Sequence, residues 1–408
     1  MKILLINQAF VSPNEPGHTR HYELAQYLKS QGHELIIVAS DINYQTGERI
    51  VEHKGIFTEQ DINGIRVMRT YIYPALHKSF FWRIISFISF MFTSFWAAMQ
   101  SGPVDVVMGT SPPIFQAATA WAVAFLRRKP FLLEIRDLWP AFAVDMGVLK
   151  NPLIIKLASW LERFLYNRAS QILVNSPAYK TYMTDMGVSA SKVTFIPYGT
   201  DVDQFNPTID GQSIRQELGL DDKFIVGYTG ALGLANDIDT VLRAAERLKD
   251  TPAIQIVFFG DGKERARLEA EKVRMGLDNV TFAGTKPKTQ MPEVVAACDA
   301  CLAILKNIPM FGMTYPNKVF DYMAAGKPTI LVIDGVVRDV IEQADAGIFV
   351  QPGDDTALAD AIRSAYEQPE RTKEMGENAR QAITSQFDRR DKIAENLALF
   401  QQIVGARA

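Results

Sequence analysis

"FIVGYTGALGLANDIDTVLRAAERLKDTPAIQIVFFGDGKER", residues 224–265, decides the fold. Two runs rich in β-branched and aromatic residues, 224–230 and 254–262, flank the amphipathic stretch 239–250. Parallel strands need a crossover of a dozen or more residues, usually a helix, so this pattern is a βαβ unit. Both runs are mainly apolar rather than alternating, which places a layer on each face of the sheet.

The same alternation continues in both directions. Strands are expected downstream at 280–285, 300–305, 328–334 and 347–353. Upstream they are expected at 2–7, 34–40, 105–110, 130–137, 171–176 and 193–199, with an amphipathic helix over 21–33 that stops at Gly32. The stretch "PYGTDVDQFNPTIDG" (197–211) has no periodicity and reads as the connection between two domains. The expected fold class is α/β, with two doubly wound, Rossmann-like domains facing a cleft. Their expected bounds are 1–200 and 201–384. Residues 385–408 would form a C-terminal helix that packs back on the first domain. Ligands of such sheets bind in crevices beyond the strand C-termini.

Composition narrows the function classes. With 48% hydrophobic and 22% charged residues, the chain suits a soluble globular protein and not a disordered one. The net charge of −3 hides an asymmetry, because the first half is basic and the second acidic. Only the first half therefore suits an anionic surface. Cys298 and Cys301 have no further cysteine or histidine beside them, so they read as buried thiols of a reducing cytoplasm. The start "MKILLINQAF" reads as a strand and not a signal peptide. "FFWRIISFISFMFTSFWAAM" (80–99) has the length of a membrane span, interrupted by Arg83 and hydroxyl residues. Three readings stay open for it: a helix packed on the sheet, an interfacial helix, or a span. The basic run 127–129 would add attraction to anionic lipid. His33 reads as structural, and His53 and His77 have no partners nearby in sequence.

Five loops follow strands and carry candidate chemistry. "SPNEPGHTRH" (12–21) offers Gly17 and His18 before a helix. "RDLWP" places Arg136 and Asp137 at a strand end. "TGALGLAND" (229–237) offers the N–H groups of Gly230, Ala231, Leu232 and Gly233 for phosphate, without the G-x-G-x-x-G spacing of a dinucleotide fingerprint. "FFGDGKER" (258–265) places Asp261 and Gly262 at a tight turn. "YPNKVFDYMAAGKPTI" (315–330) opens a helix at Pro316, with Asn317, Lys318 and Asp321 near its start.

Together these segments resemble the family 4 retaining glycosyltransferases, which have the two-domain GT-B fold, and resemble most the bacterial fucosamine transferases (WbuB-like) of O-antigen and capsule assembly. "HYELAQYLKSQGHELIIVAS", "TSPPIFQAATAWAV" and "AGIFVQPGD" carry the resemblance alongside the loops above. It implies a hexosyltransferase of class EC 2.4, with an acceptor-binding first domain and a nucleotide-sugar-binding second domain. It also implies a UDP-sugar donor, a polyprenyl diphosphate-linked acceptor, no metal or other cofactor, and no nucleic-acid partner. The protein would work on the inner face of the cytoplasmic membrane. Lys318 would meet the diphosphate and Asp321 the ribose. Arg136, Asp137 and Lys318 would be the catalytic residues. The chain departs from the family pattern at Met313, Ala231 and Asn236, where the family has a glutamate and two cations. A UDP-sugar 2-epimerase and a non-catalytic partner subunit are the alternatives.

Overall fold

The computed structural model describes the whole chain except Pro16, Gln45, His53, Lys54, 76–79, Arg407 and Ala408, and describes only the backbone of Phe80 and Phe81. The expectations for His53 and His77 thus lie outside the described residues. The chain forms two compact units, Met1–Ile196 with Ile393–Ala408, and Pro197–Lys392.

The first unit holds β1 (Lys2–Ile6), β2 (Glu34–Ser40), β3 (Phe57–Ile62), β4 (Ile65–Thr70), β5 (Val106–Ser111), β6 (Phe131–Ile135), β7 (Gln171–Val174) and β8 (Val193–Phe195). Its helices include α1 (Arg20–Ser30), α2 (Phe80–Met99), α3 (Ile114–Arg127), α4 (Ala141–Asp145), α5 (Pro152–Arg168) and α6 (Pro177–Asp185). The sheet order is β3-β4-β2-β1-β5-β6-β7-β8. Only β3 runs antiparallel, paired to β4 through Ile62 and Ile65. Asn63 and Gly64 between them both have positive φ, as a two-residue hairpin turn requires. This hairpin was not expected from the sequence.

One core of the first unit joins Ile3, Leu5, Ile37 and Met108 of the sheet to Leu24 and Leu28 of α1. Leu399, Phe400 and Ile403 of the C-terminal helix Arg389–Gly405 complete it. The C-terminal residues from Ile393 thus belong with the first unit because their apolar positions are part of its core.

The second unit holds β9 (Phe224–Thr229), β10 (Ile254–Phe259), β11 (Val280–Gly284), β12 (Ala300–Ile304), β13 (Thr329–Val332) and β14 (Gly347–Phe349). They form one sheet of order β11-β10-β9-β12-β13-β14, in which the neighbouring strands pair parallel. Successive residues face opposite cores: Ile225, Val257 and Ala303 lie in one, Val226, Phe258 and Leu302 in the other. Both faces are therefore buried, as the continuous apolar strands require. Cys298 and Cys301 are free thiols inside the first of these cores.

The aperiodic stretch 197–211 packs as part of this second unit. Val202 and Phe205 are core residues, and Arg380 donates to the carbonyls of Val202, Phe205 and Ala324 at 2.7–2.9 Å. One guanidinium thus satisfies two carbonyls of this segment and a third at the end of the helix Asn317–Ala324.

Phe258 is fully buried, with its ring stacked on Phe282 at 5.0 Å and tilted against Tyr228 at 5.7 Å. Phe258→Ala is expected to cost about 3–5 kcal/mol, read as a lower urea midpoint at unchanged slope.

Candidate active site

In the second sheet the chain leaves β9 for β10 on one side and later fills the other side with β12. Loops after β9 and β12 therefore diverge, which opens a crevice at their C-terminal ends. Gly230 follows β9 with φ of +140°, and its N–H donates to the Phe259 carbonyl at 2.9 Å. A Cβ on Gly260 would lie 1.8 Å from the Gly230 carbonyl oxygen, so only glycine allows this approach. Leu232 N–H donates to the Asp261 carbonyl at 2.9 Å, and Glu264 N–H to the Leu232 carbonyl at 3.1 Å. The loops after β9 and β10 are thereby knitted into one surface. Asp261 is exposed and accepts the N–H of Gly262 at 2.7 Å. The Ala231 carbonyl accepts the Tyr228 hydroxyl and the Asn236 amide, each at 2.8 Å. Asn236, at a position where the resembled family has a cation, here holds the loop.

The helix Asn317–Ala324 follows Pro316 and buries Val319, Phe320, Tyr322 and Met323. Tyr322 fixes the end of β9, because its hydroxyl bonds Thr229 N–H and Oγ1 at 2.9 Å each. Asn317 is exposed at the helix start. Lys318 Nζ lies 3.9 Å from the centroid of the Tyr228 ring. A Cβ on Gly230 would come within 2.6 Å of that nitrogen. The missing side chain of Gly230 therefore leaves room for the ammonium. Among the described residues no carboxylate forms an ion pair with Lys318, and burial pushes its pKa down to about 7. A cation held without a counter-ion on an aromatic face is poised for an anion from outside. Asp321 makes a different contact: its Oδ1 accepts the Thr200 hydroxyl at 2.6 Å. Burial raises its pKa to about 6, against the pull of Thr200, Arg389 and Lys288.

In the first sheet the corresponding divergence lies between β1 and β5. Gly17, with φ of +135°, has Tyr44 and Val11 about its Cβ position at 3.1 Å, and His18 beside it is exposed. After β6, Arg136 Nη2 donates to the Pro112 carbonyl at 2.9 Å, while Asp137 is exposed. Beneath these residues runs a buried polar chain that the sequence reading missed. Asn7 Nδ2 contacts His21 Nδ1 at 2.8 Å, and His21 Nε2 contacts Glu134 Oε2 at 3.0 Å. Asn7 Oδ1 accepts the Ala9 N–H, so its amide nitrogen is the donor to Nδ1. That fixes His21 as the neutral tautomer with its proton on Nε2, donated to Glu134. Burial lowers the His21 pKa and outweighs the pull of Glu134. Burial alone would raise Glu134, but Arg20, His21 and Arg136 hold it well below the usual carboxylate range. Arg20 Nη2 stands 3.4 Å from Glu134. The signal was present in "FLLEI", since an acid inside a fully buried strand must have partners.

Two family models match the chain, the "Glycosyl transferase 4-like domain" over residues 17–199 and "Glycosyl transferases group 1" over 210–382. WcaI of Escherichia coli K12, named for a glycosyl transferase of colanic acid biosynthesis, is 24% identical over 377 residues, 90% of this chain and 92% of that protein. Among solved structures, HepE of Anabaena in complex with UDP superposes with a TM-score of 0.74 at 19% identity, covering 98% of this chain and all of the other. Sucrose-phosphate synthase of Thermosynechococcus elongatus gives 0.77 at 19% identity, with 99% of each chain covered.

Glu134→Gln removes the charge that Arg20 and Arg136 face and is expected to destabilise the fold by about 3–5 kcal/mol. Because the folded chain depresses the Glu134 pKa, its contribution is complete above the ordinary carboxylate range and is lost progressively as pH falls below that range toward the depressed folded value. Urea melts at pH 7 and at about pH 3 check both statements: the gap between wild type and variant shrinks in acid.

Proposed function

We propose that this chain, a nucleotide-sugar glycosyltransferase of family 4 with the GT-B fold, transfers its sugar with retention to a lipid-linked saccharide of cell-surface polysaccharide assembly. The observation that carries the donor side is Lys318, an ammonium over the Tyr228 ring with no carboxylate partner among the described residues, lying against Gly230 at the switch point of the second sheet. In this reading the chain belongs to the fucosamine-transferase (WbuB-like) branch, the donor is a UDP-sugar, and Met313 meets a deoxy or acetamido sugar. The UDP complex of the similarly folded Anabaena protein is in keeping with that base.

As the glycosidic bond to the donor breaks, negative charge grows on the leaving diphosphate. Lys318 and the N–H groups of Ala231 and Gly233 meet it, replacing the two cations absent at Ala231 and Asn236; the N–H groups of Gly230 and Leu232, expected from the sequence to join them, are instead donated to the Phe259 and Asp261 carbonyls. Asp321 turns its second oxygen to the ribose, while Pro316 and Asn317 set the approach to the helix start. Asp261 and Gly262 border the sugar pocket. In the first unit, Gly17 and His18 serve the acceptor, Arg136 adds positive charge, and Asp137 receives the acceptor hydroxyl. Glu134 and His21 keep Arg136 and Arg20 in place. No metal is part of this mechanism. The acceptor is held at the inner face of the cytoplasmic membrane, with residues 80–99 and 127–129 toward the lipid.

A thermal-shift panel of UDP-, GDP-, ADP- and dTDP-sugars tests the donor reading: UDP-sugars raise the melting temperature, and no response to any of them would sink it. Affinity carries a second signature. In the free protein Lys318 loses its proton near pH 7, and a bound diphosphate returns it to the ordinary lysine range. UDP-sugar affinity is therefore flat below pH 7 and falls up to about tenfold per pH unit above it. Lys318→Ala is expected to weaken binding by about 10–100-fold and to abolish the slope, as titration calorimetry would show.

A further inference from the structure

Helix α2 is built inside out. Its inner stripe is Ser86, Phe90, Ser94, Ala97 and Ala98, all buried and mostly small. Its outer stripe is Trp82, Ile88, Phe92, Trp96 and Met99, with Phe92 74% and Trp96 54% exposed. A helix that faces only water buries its large apolar residues and exposes its small or polar ones. The hydroxyls of α2 do not soften this face. Ser89 donates to the Ser86 carbonyl at 2.7 Å, and Thr93 to the Tyr71 carbonyl at 2.7 Å.

The same surface continues across two neighbouring helices. Phe87 stacks on Phe115 of α3 at 5.5 Å, and Trp121 of α3 meets Phe164 of α5 edge-on at 4.7 Å. Arg127 ties the ends of α3 and α2, donating to the carbonyls of Ala98, Met99 and Gly102 at 2.6–2.7 Å. Phe125 and Leu126 are exposed on α3, and Leu153, Leu157 and Trp160 form an exposed stripe on α5 at helical spacing. The charge on these helices has one sign toward solvent. Neither α2 nor α3 contains an acid, and the only one on α5, Glu162, is buried and accepts the Tyr166 hydroxyl at 2.8 Å. Arg83, Arg128, Lys156, Arg163 and Arg168 are exposed.

We propose that the joint face of α2, α3 and α5 rests on an anionic lipid bilayer, with Phe92, Trp96, Leu157 and Trp160 entering the boundary between headgroups and acyl chains. This rests on the membrane acceptor proposed above and deepens it by making α5 a second insertion stripe beside α2. The helix α2 does not span: it packs on β2 and β4, so its inner flank is committed to protein. Aromatic side chains in the interface with cations around them match the two attractions that hold monotopic proteins. A second copy of the chain on this face would set like-charged rims together.

The test uses the full chain and vesicles of phosphatidylcholine with about 30% phosphatidylglycerol, part of the phosphatidylcholine brominated. Bromines quench tryptophan fluorescence on binding, and Trp160→Phe removes a measurable part of that quenching. In co-sedimentation, Phe92→Ser with Trp160→Ser lowers the partition coefficient by about tenfold or more. Pure phosphatidylcholine lowers it similarly. Melting temperature and the UDP-sugar shift of the variant stay at wild-type values, which separates a lost membrane face from a lost donor site. Three results overturn the proposal: wild type fails to bind the anionic vesicles, the double variant binds them as well as wild type, or Trp160 is not quenched. A wild-type dimer that Phe92→Ser dissociates, without vesicle binding, would assign the face to a second copy and overturn it too.

Discussion

The proposed donor site of the second unit rests on one close approach, that of the backbone at Gly260 to the carbonyl of Gly230. It brings the loops after β9 and β10 together and leaves the space over Gly230 open. Into that space Lys318 projects, its ammonium over the Tyr228 ring. Tyr228 is itself a core residue packed on Phe258. Packing, backbone conformation and the position of a single charge are thus continuous. A side chain at either glycine would displace the charge or part the loops.

The two units treat buried charge in opposite ways. In the first, Glu134 is surrounded by Arg20, Arg136 and a neutral His21, so its desolvation is offset locally. In the second, Lys318 has no carboxylate partner among the described residues, and burial drives it toward neutrality. A satisfied network holds geometry and changes little with ligand. An uncompensated cation stores a cost that an arriving anion relieves, which is how a site gains affinity for the leaving group of its reaction.

Much of this was legible in the sequence. The βαβ periodicity gave the parallel strands of both sheets, and the glycines of 229–237 and the helix at Asn317–Ala324 pointed to the place where Lys318 meets Gly230. What escaped had physical reasons. The β3–β4 hairpin carries the Asn63–Gly64 turn signal, but its strands read "FTEQDI" and "IRVMRT", weakly apolar beside the buried runs. The stretch 197–211 shows no period because it forms neither helix nor strand, and Arg380, remote in sequence, satisfies two of its carbonyls. The Asn7–His21–Glu134 chain joins three segments distant in sequence, and only the sheet order makes them neighbours. For α2, hydrophobicity alone left three readings, and which stripe faces inward was visible only once the helix lay on the sheet.

The central claim is that Lys318 is a cation reserved for the donor diphosphate. Calorimetry of UDP-sugar binding at about pH 8, in two buffers of different ionisation enthalpy, tests it most directly. The account predicts uptake of close to one proton per site by wild type and none by Lys318→Ala. Binding of the donor with no proton uptake by wild type would contradict it.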